Sequence, residues 1–185
     1  MRGASPVALV CAVMLQFAQL SAQVPELAPE SAPSTAEIGS ASEPGIRLVI
    51  AGRVLDAATR KPVANASLYV YHTDAKGYYT PDAANDNRNP RLRAHLRTNQ
   101  DGAFEARTIR PAPYPRGGVP AHVHLVVQAS GFARRDCEIV FTDDPNVNER
   151  IRREATDPHS FYILLAPPSQ ENGFRVAPDV LLRRE

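Results

Sequence analysis

From residue 46 onward every apolar run is short, rich in β-branched residues, and closed by a turn signal. "IRLVIAGRVLD" (46–56) reads as a strand, "TRKPVAN" as a turn, and "ASLYVYHTD" (66–74) as the next strand. Alternation sets Leu68, Val70 and His72 on one face of that strand and Tyr69, Tyr71 and Thr73 on the other. "HLRTNQDGAFEARTI" reads as two short strands paired as a hairpin about "NQDG". "AHVHLVVQAS" and "RRDCEIVF" are strands flanking "GFA", and "SFYILLAP" is expected to be the last strand. No segment carries a long helical period; "NVNERIRREA" is expected to form a short helix. Many short strands with turns between them predict an all-β, single-domain β-sandwich with long loops.

The residues before this core have a different texture. "MRG" is a short positive start, "VALVCAVMLQFAQL" an apolar stretch, and "SAQ" a small-residue site, which together predict an export signal over 1–22 cut after Ala22. The apolar stretch is too short and wrongly flanked for a retained membrane span, so a periplasmic or extracellular location is expected. Residues 23–45, rich in Pro, Ser, Ala and Glu, read as a flexible tether. The sandwich is expected over 46–170 and a C-terminal tail over 171–185.

Removing the leader takes Arg2 and no acid, so 21 basic against 20 acidic residues becomes 20 against 20. A neutral chain argues against nucleic acid or an anionic membrane as partner. Cys11 lies in the leader, which leaves Cys137 alone and excludes an internal disulfide. Cys137 itself reads as a small buried strand residue.

Chemistry concentrates in "PAHVHLVV" (120–127), where His122 and His124 leave one face of a strand. Two imidazoles on one face are costly to bury unless something binds them. The plain reading is an exposed or hydrogen-bonded pair; the functional reading is half of a metal site. Tyr79 and Tyr114 lie in the two irregular stretches, where loops meet the sheet and functional side chains gather. Taken singly, each tyrosine reads as a packing residue with its hydroxyl at the surface. As phenolates they are hard oxygen donors suited to Fe(III), and two neutral histidines complete an N2O2 set. A trivalent ion supplies the drive for each phenol to lose its proton. Tyr78 is a rival ligand to Tyr79. His72, His95 and His159 lack a second candidate at strand spacing and read as structural or surface histidines.

With these pieces in place the chain resembles the intradiol ring-cleavage dioxygenases, which include catechol 1,2- and protocatechuate 3,4-dioxygenases. The resemblance rests on "GRVLDAATRKPVANASLYVYHTDAKGYYT", "NPRLRAHLRTNQDGAFEARTIRPAPYP", "PAHVHLVVQASGF" and "EIVFTDDP", in the family's order over roughly residues 50–145. It implies a non-haem Fe(III) held by Tyr79, Tyr114, His122 and His124. Tyr114 and His124 take the family's axial places, Tyr79 and His122 the equatorial ones. It further implies a catechol-type substrate that binds as a chelating dianion, displaces Tyr114, and is opened by O2 between its hydroxylated carbons. That displacement gives Tyr114 a part in the reaction itself. Family members often assemble from several chains, and nothing in the sequence defines such an interface.

Two positions depart from the family's pattern. Val119 stands where an arginine usually precedes "PAH", and Glu138 stands where glutamine is frequent. Arg116 is a basic residue close by in sequence. "GRVLDAATRKPVANASLYV" followed by "TNQDGAFEARTI" also resembles the prealbumin-like sandwiches that serve as carboxypeptidase regulatory-like accessory modules. Such a non-enzymatic binding module explains the strands and turns and leaves the tyrosines and the histidine pair without a role.

Overall fold

The computed structural model describes residues 27–81, 86–166, 169–170 and 173–185. Its elements in chain order are β1 (Thr35–Glu37), β2 (Arg47–Asp56), β3 (Ser67–His72), β4 (Leu92–Arg97), β5 (Ala103–Ile109), β6 (His122–Gln128) and β7 (Arg135–Phe141), then α1 (Glu149–Glu154). β8 (Tyr162–Leu165), β9 (Ser169–Gln170), β10 (Gly173–Val176) and β11 (Asp179–Leu182) follow. One sheet runs β1-β5-β2-β10-β9, with β11 also paired to β2; the other runs β4-β3-β6-β7-β8. Their inner faces meet in one core. Leu48, Ile50, Val54 and Phe104 come from the first sheet, and Leu68, Val70, Leu96, Val123, Leu125 and Ile139 from the second. Each fully buried aliphatic side chain of this set contributes about 1.5–3 kcal/mol relative to exposure. The expected all-β sandwich is the fold.

Strand alternation is visible residue by residue. Leu68, Val70 and His72 point into the core, whereas Tyr69 and Tyr71 stand half-buried on the outer face. Cys137 is buried in β7, and burial pushes its thiol up to about 11. The short helix forms with Asn148 as its cap, the side chain accepting from the Ile151 N–H.

Three expectations are corrected. The strands about "NQDG" do not form a hairpin: β4 pairs with β3 in one sheet and β5 with β2 in the other. The turn carries the chain between layers, and its local chemistry is the same either way. The tether does not hang free where it is described. Thr35–Glu37 pairs in parallel with Glu105–Arg107, and Ile38 is a core residue at 2% exposure. Glu43 forms a two-pronged bond with Arg91 at 2.7 Å. The expected tail over 171–185 is paired into the sheet where it is described, from Gly173 on, and "SFYILLAP" is not the last strand. β10 and β11 both line β2 in parallel, broken at Ala177–Pro178, where Arg53 N–H donates to the Pro178 carbonyl. The leader over 1–22 lies outside the described residues. Among the described residues no helix is long and apolar enough to cross a membrane.

Candidate metal centre

The outer face of the second sheet carries the site. In register across it stand Arg93 on β4, Tyr71 on β3, His124 on β6, Glu138 on β7 and Tyr162 on β8. His122 lies two residues before His124 at the mouth of β6 and is almost fully buried. Asp144 anchors that mouth: its carboxylate accepts from the Ala121 N–H at 2.8 Å and from the Asn146 N–H at 2.8 Å.

Two loops bring the tyrosines. After β3 the chain turns on Asp74, whose side chain accepts from the N–H groups of Lys76 and Tyr78. Gly77 takes φ 85° there, and a Cβ at that position would collide with the Pro113 carbonyl of the second loop. The close approach lets Thr73 Oγ1 donate to Ala112 O and Ala112 N–H donate to Asp74 O, tying the loops together. Tyr79 is then held by Arg91 N–H on its carbonyl and is buried at 2% exposure, while Tyr114 remains half-buried.

The four expected side chains converge tip to tip. Tyr79 Oη lies 2.7 Å from Tyr114 Oη and 2.8 Å from His124 Nε2. Tyr114 Oη lies 3.1 Å from His122 Nε2, which is 3.1 Å from His124 Nε2. The contacts close a ring in which Tyr114 is opposite His124 and Tyr79 opposite His122. It is Tyr79, and not Tyr78, that enters this ring.

Proton counting tests whether a cation fits. His122 Nδ1 is 2.7 Å from the Pro120 carbonyl, which can only accept, so the neutral ring carries its proton there and Nε2 is a bare lone pair. The ring therefore holds at most three protons, on Tyr79, Tyr114 and His124 Nε2, for four contacts. His124 Nδ1 faces Glu138 Oε1 at 3.3 Å; with its proton there, only two remain. Lone pairs meet with no proton between them, an arrangement that a cation completes. The spacing suits one ion, since ligands about 2.1 Å from a centre and about 90° apart sit about 3 Å from each other. The residues present fit a hard metal ion.

Burial favours the uncharged forms of Tyr79, Tyr114 and His124. Burial, with the bond from Tyr114, pushes the Tyr79 phenol well above its usual value, and burial also raises Tyr114. Burial pulls the His124 imidazolium down to about 3. Glu138 forms the acidic wall, 3.9 Å from His122 Nε2, and burial raises its carboxyl. His122, His124 and Glu138 are also the described trio of histidine and acidic groups close enough to share an ion.

The other histidines are placed elsewhere. His72 is fully buried and joins the sheets, Nε2 at 2.7 Å from Thr108 Oγ1 and Nδ1 at 2.7 Å from the Thr73 carbonyl. His95 stacks on Tyr69, and His159 lies on the segment after α1. Val119 is exposed on the loop between Tyr114 and His122. Sequence reasoning gave no role to Gly77, Asp144 or Tyr71; the motifs "DAKGYY" and "FTDDP" hold the first two, but their partners are far along the chain.

The family model Dioxygenase matches residues 23–159, most of the chain and every residue of the ring. The chain belongs to the intradiol ring-cleavage dioxygenase family. Among curated relatives of this dioxygenase family, it is 30% identical over 136 residues to catechol 1,2-dioxygenase of Acinetobacter baylyi, covering 64% of this chain and 43% of that one. It thus spans under half the length of that relative. The dioxygenase domain of a dioxygenase carbohydrate-binding protein fusion from Streptomyces sp. SirexAA-E superposes with a TM-score of 0.63 at 26% identity, covering 87% of this chain and 95% of that one. The fold is also that of 3-chlorocatechol 1,2-dioxygenase from Rhodococcus opacus, at a TM-score of 0.66 and 22% identity over 88% of this chain and 71% of that one.

Proposed function

We propose that this intradiol family dioxygenase holds a non-haem Fe(III) on Tyr79, Tyr114, His122 and His124 and uses O2 to open a catechol-type ring between its hydroxylated carbons. The observation that carries the proposal is the closed ring of two phenol oxygens and two imidazole nitrogens with fewer protons than contacts. A ferric ion bound there withdraws electron density from a catecholate and makes its ring reactive toward O2.

The protein residues have distinct parts. Tyr79 is buried and pinned between its loop and Arg91, so it is the permanent oxygen donor. Tyr114 is half-buried on a loop that ends in the exposed stretch Pro115–Val119, so it has room to swing out. Its raised phenol keeps a proton readily, so Tyr114 Oη can receive one proton of the entering catechol. Glu138 borders the substrate position and bears on which ring substituents fit.

An exported location and catechol and O2 as partners belong to the same proposal. The accessory-module reading accounts for the sheets but not for the four-atom ring. The test is metal analysis and a visible spectrum of protein grown with ample iron, followed by O2 uptake with a panel of catechols. Expected are one iron per chain, a burgundy phenolate-to-iron band and a muconate-type diacid. Tyr79→Phe and His122→Ala are expected to lose the colour. A colourless, iron-free wild-type protein overturns the proposal; a coloured protein inert toward every catechol overturns its catalytic half.

A further inference from the structure

The two histidines of the ring are held by different means. His122 is buried, and its Nδ1 donates to a backbone carbonyl that cannot move away, Pro120 O at 2.7 Å. The His124 side chain keeps 14% exposure and has a longer contact, 3.3 Å, from Nδ1 to the Glu138 carboxylate. The flat of its ring is met by Tyr71, its cross-strand partner, which lies parallel at 4.2 Å between centroids with 11° between planes. Tyr71 is itself backed by Tyr69 at 5.1 Å, and Tyr69 stacks on His95 at 4.7 Å. The result is a row of four rings, His124, Tyr71, Tyr69 and His95, standing on the outer face of β6, β3 and β4.

We infer that Tyr71, buttressed by Tyr69 and His95, is the positioning residue that sets the ring plane of His124 and so aims its Nε2 at the metal. The inference rests on the ferric reading of the site. An imidazole bound through one nitrogen is otherwise free to turn about its side-chain torsions, and each turn carries the lone pair off the ion. The contact is made by the Tyr71 ring face, so its hydroxyl is dispensable for this purpose. Partners that orient a metal-bound histidine by a hydrogen bond carry about 10–100-fold in metal affinity, and a stacked ring that fixes the same plane is assigned the lower end of that range.

The experiment compares ferric affinity, by chelator competition, and visible and electron paramagnetic resonance spectra for wild type, Tyr71→Phe, Tyr71→Leu and Tyr69→Leu. Circular dichroism and thermal melting report folding. Tyr71→Phe is expected to bind within about threefold of wild type with an unchanged spectrum. Tyr71→Leu is expected to bind about tenfold or more weakly, with a shifted and broadened charge-transfer band. Tyr69→Leu, which does not touch His124, is expected to give a smaller change in the same direction, and it carries the test if Tyr71→Leu does not fold. Wild-type affinity and spectrum in a folded Tyr71→Leu, or in Tyr69→Leu when that variant carries the test, overturn the inference. So does an equal loss in Tyr71→Phe. These outcomes leave the iron reading intact, whereas a wild-type protein that binds no iron ends both.

Discussion

Glu138 Oε1 lies 3.3 Å from His124 Nδ1 and 3.9 Å from His122 Nε2, which puts a carboxylate in the wall of the proposed substrate position. No arginine or lysine pairs with Glu138 among the described residues. Arg110 is paired with Asp143, Arg91 with Glu43, and Arg150 with Glu154. A catechol's own oxygens would be neutralised by the ferric ion, but an anionic ring substituent would not. Two like charges about 6 Å apart repel by about 3 kcal/mol at an effective dielectric of about 20. A carboxylated catechol is therefore expected to bind about tenfold or more weakly than catechol itself, and Glu138→Gln to shrink that ratio. Anaerobic titrations followed through the visible band measure both; an unchanged ratio in the variant would refute this.

Iron loading should release protons. Tyr79 and Tyr114 are both raised by burial, so both enter as phenols near neutral pH and must leave as phenolates. Two protons per iron are expected in weakly buffered solution. Apparent affinity should climb with pH, by up to about a hundredfold per unit where both phenols are protonated in the free site. Release of no protons would mean that the phenols are not the ligands.

Gly77 is where the two tyrosine loops touch. Gly77→Ala adds a methyl group against the Pro113 carbonyl at a positive φ, so the loops must part. The expected outcome is a loss of about 1–3 kcal/mol in stability together with weakened iron colour, because Tyr79 and Tyr114 are displaced together. Gly131→Ala, at φ 77° with open space around it, is the control and should keep the colour. Urea unfolding and the visible spectrum check both.

Acid should unfold the protein through His72. Burial pulls its imidazolium from 6.5 down to about 4, so the unfolded chain binds the extra proton between those values. Stability is thus fully present above pH 6.5 and is lost as pH falls toward 4, by on the order of 3 kcal/mol from this residue. His124, drawn down to about 3, adds to the same slope in the metal-free protein. Urea midpoints between pH 7 and 4 should fall for wild type, and less steeply for His72→Gln.

The resemblance to the family points to the four ring residues, and local rules explain part of why they meet. Alternation along β6 puts His122 and His124 on one face, and alternation along β3 puts Tyr71 on the outer face that also carries His124. Those inferences need only the pleat of a strand. The misreadings all concern partners distant in sequence. "NQDG" looks the same whether its strands pair or part, and the segment 23–45 has the composition of a tether although Thr35–Glu37 is paired seventy residues downstream, with Glu105–Arg107.

Residue types and strand periods alone thus dictated a sheet protein with two neighbouring imidazoles and candidate phenols at its loop ends, since propensity and alternation act over a few residues. Register between β3, β6 and β7, the contact of the two loops at Gly77 and Pro113, and the stack of Tyr71 on His124 came from the folded chain. Those relationships depend on packing between segments tens of residues apart, which no local pattern encodes.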